Sequence, residues 1–325
     1  MTTVPLTRRL LFPILRRAAG GDIDPEAIWT RADFEARSPN EELLELRLAA
    51  RARRLQWLVA SVSVVVFAAC LAVAWWAGPL AMARIAATGH TRLALLAPLF
   101  AGVVLHGAFI LLVHEATHFN LFRGQADRWI GNVALGTLLL PFFAETYQHT
   151  HLVHHRHVNR LHDNNWTRNR HALFRRSRLL YALYELIPVV NNVDRVGQRI
   201  RRRPAQIAAA WLAAAAVLAA SPVSWRYYLV ALVGVNMINA MRLWVEHYGH
   251  FSGNVSNTYR CPFSFGIGNH EIHHRYPKIP ALVLMAGLWF RRPDVTVFSA
   301  PFRVLFTRGW AHFRTQQHDF DGTVL

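Results

Sequence analysis

The stretch LALLAPLFAGVVLHGAFILLVHEATH, Leu93 to His118, carries both fold and site in one piece. From Leu93 to Val113 only Pro98 and His106 interrupt an apolar run, long enough as a helix to cross a hydrocarbon layer of about 30 Å. The run ends on His114-Glu-Ala-Thr-His118, so an apolar helix delivers two imidazoles to its own end. Three further runs share its character. Trp57 to Ala77 carries no charge and has Trp57 at one end and Trp75-Trp76 at the other, where interfacial aromatic belts lie. Ala205 to Ser221 is alanine-rich, and after a short turn at Pro222 a fourth run extends from Trp225 to about Val245. These features predict an all-α integral membrane protein with four transmembrane helices, near 57–77, 93–113, 205–221 and 225–245, arranged as two hairpins.

Trp129 to Ala144 is a fifth apolar stretch, about 24 Å long as a helix and marginal for crossing. Crossing would put His114 and His151 on opposite sides of the membrane, so 129–144 is expected to be an interfacial or buried helix. Residues 1–54 read as a cytoplasmic N-terminal helical segment, with a helix start at Asp24-Pro25-Glu26 and leucines at helical spacing after Glu41. Val4 to Ala18 alternates apolar residues with Arg and reads equally as a helix lying on a membrane or as a solvated tail. Residues 55–325 form the membrane domain, with a cytoplasmic helical cap.

The net charge is +17, and Lys278 is the only lysine. The arginines flank apolar runs instead of lining one solvated face, which argues against nucleic-acid binding and for a positive-inside bias. The arginine-rich regions are residues 8–54, Arg156 to Arg203 and Arg291 to Arg308; four spans put all three on one side. The expected protein is therefore integral to a membrane, a bacterial inner membrane, with both termini and the site cytoplasmic. Cys70 and Cys261 lie far apart without CxxC spacing, so neither a disulfide framework nor a zinc ribbon is implied.

Eighteen histidines are present, and their spacing matters more than their number. His114 and His118 stand at i and i+4; His151, His154 and His155 at i, i+3 and i+4; His270, His273 and His274 repeat that pattern. On a helix these positions fall within an arc of about 100°, so each box can aim at one place. His149 and His157 fall off that arc, and His106 lies about 12 Å deeper than His114. His247 directly follows the fourth run. Nine donors are too many for one metal, and two metals with four or five each is the natural division. Imidazole suits Fe, Zn, Cu and Ni alike. Glu115, Glu145, Asp163, Glu246 and Glu271 stand beside the boxes as candidate partners for the second imidazole nitrogens.

With these motifs the sequence resembles the membrane fatty acid desaturase and hydroxylase superfamily over roughly His106 to Pro280. The resemblance rests on three boxes in order, the two-span insertion between the second and third, His155-Arg-His-Val-Asn159, and the NxHxxHHxxPxxP-like run from Asn269 to Pro280. Glu246-His247-Tyr248-Gly249 is also similar to a segment of membrane alkane hydroxylases. The resemblance implies a non-haem di-iron centre with metal ligands His114, His118, His151, His154, His155, His247, His270, His273 and His274. It implies two irons, O2 as co-substrate, and oxidation of an unactivated C–H bond of a lipid-like chain, by desaturation or hydroxylation. It further implies electrons from a separate ferredoxin-like partner with its reductase. Two rival readings stand beside it. His114-Glu115-Ala-Thr-His118 is also the HExxH of zinc proteases, with Glu115 as base, and a non-enzymatic metal-binding or transport protein would use the same histidines.

Overall fold

The computed structural model describes residues 56–122, 124–144, 146–156, 173, 176–187, 203–247, 256–288, 295–299 and 305. The expected N-terminal segment 1–54, Glu145, His157, Asp163 and most of the basic stretch before Arg203 lie outside the described residues. The described chain is mostly helical. Helix α1 spans Gln56–Ala87, α2 Thr91–Thr117, α3 Gln125–Thr137, α4 Tyr147–Arg156 and α5 Arg178–Leu186. Helix α6 is Pro204–Ala220, α7 Trp225–His247, α8 His270–Arg275 and α9 Ala281–Leu288. Two short strands, β1 (Tyr259–Arg260) and β2 (Val295–Thr296), pair in parallel with Tyr259 opposite Val295. Among the described residues three helices are long and apolar enough to cross a membrane, α1, α2 and α7 over Trp225–Glu246, and α6 is a shorter apolar helix.

Helix α1 outruns its expected end at Ala77. Pro79 lacks the N–H that continues the ladder, and the helix passes it through a π turn over Val73–Ala77. The Tyr227 hydroxyl donates to the carbonyl oxygen of Ala74 at this irregular turn (2.7 Å). Gly78 is required there, because a Cβ would lie 2.0 Å from the Tyr227 hydroxyl oxygen. A second π turn occupies Phe109–His114, at the entrance of the first histidine box.

Helices α2 and α7 are the central pair. Their backbones touch at Gly102 and Gly234: a Cβ on Gly102 would lie 2.3 Å from Ala231 O, and one on Gly234 would lie 2.5 Å from Leu99 O. From this crossing each helix continues in the same direction for about 18–20 Å, one to His114 and the other to His247.

The stretch expected as one helix over 129–144 is α3 followed by a reversal. Leu139 adopts φ 58°, Pro141–Phe143 forms a single 3₁₀ turn, and α4 begins at Tyr147. Asp127 holds the start of α3 by accepting from Phe122 N (2.8 Å). The far end of α3 lies beside α1 and α7, where Trp75 Nε1 donates to Thr137 O (2.8 Å) and the Tyr228 hydroxyl to Leu139 O (2.6 Å). So α3 enters the bundle and α4 returns from it, which keeps His151 beside His114. Helix α6 covers α3, with Gly136 against Ala210 O. It starts where Arg203 donates to Gln148 Oε1 (3.0 Å), beside α4, and ends where Trp76 Nε1 meets Ala220 O (3.2 Å).

Candidate metal centre

The histidines form two groups. His114, His118, His151, His155 and His273 bring their ligand atoms within 4.8 Å of one another, and His154, His270 and His274 form a second group by the same measure. Helix phase explains the division. The second box sends its i and i+4 members, His151 and His155, to the larger group and its i+3 member, His154, to the smaller. The third box does the reverse, sending His270 and His274 to the smaller group and His273 to the larger. The groups adjoin: the rings of His155 and His274 stack at 4.1 Å. Eight of the nine expected ligands are therefore brought together. His247 ends α7, and its side chain lies outside the described part of the structure.

The donor set fits a cation. Nε2 atoms approach each other at 2.9 Å (His118–His151), 3.2 Å (His151–His155) and 3.1 Å (His155–His273). A neutral imidazole nitrogen either donates or accepts, so lone pairs crowded this way are best satisfied by a shared positive ion. His114 makes the point alone. Its Nδ1 lies 3.1 Å from Glu115 Oε1, while its buried Nε2 has no hydrogen-bond partner. The carboxylate fixes the proton on Nδ1, and the free lone pair faces the group.

Burial, reinforced by the neighbouring imidazoles, holds the pKa values of His118, His151 and His273 well below the usual histidine value. They are neutral at physiological pH, as ligation requires. The Cys261 thiol is pushed up to about 12, chiefly by burial, so it supplies no thiolate.

Glu115 is the keystone of the first box. Its Oε2 accepts from Asn120 Nδ2 (3.2 Å) and from Ala281 N at the start of α9 (3.0 Å). Asn120 also donates to Pro277 O (3.1 Å), and Lys278 Nζ donates to His118 O (2.9 Å). The Pro277–Pro280 segment thus clamps the first box, a role that its sequence did not reveal. Glu246 serves the smaller group: Oε2 lies 3.5 Å from His270 Nε2, and Oε1 accepts from the Tyr259 hydroxyl (2.6 Å) and pairs with Arg242 (3.2 Å). Glu271 is buried beside its box, and His149 is exposed, as its phase predicts. His106 is buried but belongs to neither group. Asn236 bonds to Leu232 O within its own helix.

The HExxH reading fails on this geometry. A protease base must face water and substrate, but Glu115 is 1% exposed, with both carboxylate oxygens engaged.

An apolar helical bundle whose end holds eight converging imidazoles is the frame of a membrane metal enzyme. The family model for fatty acid desaturase matches residues 89–304, and the chain belongs to that family, whose members are oxidoreductases. No curated protein and no solved structure matches the chain.

Proposed function

We propose that the protein binds two iron ions and uses O2 to oxidise an unactivated C–H bond of a lipid-like substrate. The observation that carries this reading is the division of the box histidines into two adjoining groups of five and three. His247 is the proposed fourth donor of the smaller group; its neighbour Glu246 already lies against His270. When bound, the irons supply the activation of O2 needed to break a strong C–H bond.

The chain's own residues set the conditions for that chemistry. Glu115 orients the His114 imidazole through Nδ1, Glu246 lies against the smaller group at His270, and burial keeps bulk water from the site. Tyr147 stacks on His151 (5.4 Å) and packs against Phe109 (4.6 Å), closing the bundle side of the larger group. Two outcomes balance. Desaturation takes a CH2–CH2 unit, O2, two electrons and two protons to CH=CH and two waters. Hydroxylation takes C–H, O2, two electrons and two protons to C–OH and one water. The electrons come from a separate ferredoxin-like donor with its reductase.

In the proposed topology α6 is the fourth crossing, running from the site end at Arg203 to the far end beside Trp76. Both termini and the site then lie on the cytoplasmic side of an inner membrane, where arginines are concentrated. The test is to incubate membranes holding the protein with O2, an electron-donor pair and a panel of acyl and alkyl chains. A product lighter by two mass units or heavier by sixteen is expected. Equal product formation under argon would overturn O2 chemistry.

A further inference from the structure

Beneath the histidines the bundle holds two polar side chains that the metal groups do not use. His106 is 2% exposed, and neither ring nitrogen has a hydrogen-bond partner. Arg242, on α7, is 7% exposed; its Nη1 has no partner, and its Nε, 3.2 Å from Glu246 Oε1, is not aimed well enough to bond it. The Arg242 charge lies within electrostatic reach of His106, and also of Tyr147, Tyr259 and Cys261. The helix register agrees: Gly102 of α2 lies against Ala231 O and Val235 N of α7, and from there both helices run the same way, so His106, one turn further on, stands about level with residue 239, less than a turn from Arg242. The π turn at Phe109–His114 aligns it with the metal groups. In a regular helix His106 and His114 would differ by about 80° in phase; one extra residue in the turn reduces this to about 20°. His106 thus stands below His114 on nearly the same face, about 12 Å away along the helix.

Buried polar atoms of this kind require a partner. We propose that His106 and Arg242 bind a neutral oxygen-bearing group of the substrate, a hydroxyl or carbonyl, while the carbon to be oxidised lies at the histidine groups. This assignment rests on the substrate-oxidising role proposed above. Charge selects the class of ligand. Glu246 already balances Arg242, so a carboxylate would bury an unpaired negative charge, which a hydroxyl or carbonyl avoids. Arg242 Nη1 donates, and an imidazole nitrogen either donates or accepts, so a hydroxyl, which does both, serves the arginine and one ring nitrogen of His106 together. The preferred substrate is then an oxygenated chain and not a plain hydrocarbon.

The test reads binding without turnover, so failure of the oxidation chemistry leaves it intact. Full-length protein in lipid nanodiscs, kept anaerobic and without electron donor, is titrated with 1-dodecanol, dodecane and dodecanoate. The expected result is at least about tenfold tighter binding of dodecanol than of dodecane, the effect of one well-made hydrogen bond. His106→Leu abolishes that preference while leaving dodecane affinity and metal content unchanged, and His106→Gln restores part of it. Equal binding of dodecanol and dodecane by the native protein overturns the proposal, as does a preference that survives in His106→Leu. Dodecanoate binding as tightly as dodecanol, and lost in His106→Leu, overturns the assignment to a neutral group.

Discussion

Glu115 accepts from a histidine side chain of the first box, from Asn120 and from the backbone of α9, and these three contacts tie the first box to the third. Glu115→Gln keeps the shape but supplies an amide where His114 needs an acceptor and Ala281 N a carboxylate. A loss of about 10- to 100-fold in metal affinity is expected, read by competition with a chelator; unchanged affinity would show that Glu115 does not orient His114. The imidazoles also set a pH dependence. His118, His151 and His273 titrate well below the ordinary histidine value when folded, so the folded state favours their neutral forms. Their contribution to stability is therefore present above the unfolded value and lost as pH falls through the folded values. The metal-free protein should melt at progressively lower temperature below about pH 6.5; a flat profile from pH 8 to 5 would contradict this. At this scale the sequence was most legible. Box spacing picked out eight histidines that the structure brings together, because helical phase is a property of sequence position. Glu115 was legible as a candidate partner of an imidazole, but its tie to α9 was not, since that donor is a backbone N–H far along the chain.

The first π turn is a local response to Pro79, and the second, at Phe109–His114, has no composition that announces it. The α3–α4 reversal was hidden because apolar residues continue through it from Ile130 to Ala144, and only Pro141 marks the break. The reversal meets the requirement that His114 and His151 share a site, because it returns α4 beside the first box. The α2–α7 crossing makes a sharp prediction. Gly102→Ala forces a Cβ to 2.3 Å from backbone oxygen, whereas at Gly131 the nearest atom, the Ala116 Cβ, lies at 3.2 Å. Gly102→Ala should cost about 1–3 kcal/mol or more through displaced backbone, and Gly131→Ala clearly less. Denaturant unfolding in detergent measures both; equal effects would show that the helices do not touch at Gly102.

At the scale of the whole molecule, apolar run length identified α1, α2 and α7 as long apolar helices, and the shorter α6 completes the proposed four-span topology. Cysteines introduced at Thr91 and at Ser224 should react with a membrane-impermeant maleimide from the side opposite the histidine site; labelling from opposite faces would remove α6 as a crossing. All these placements serve one claim, that the bundle end holds two metal ions in two adjoining imidazole groups. Elemental analysis of the purified protein tests it most directly. About two irons per chain are expected, falling to about one when His270 and His274 are both replaced by alanine. A single metal ion per chain, zinc in particular, retained in that double variant would contradict it.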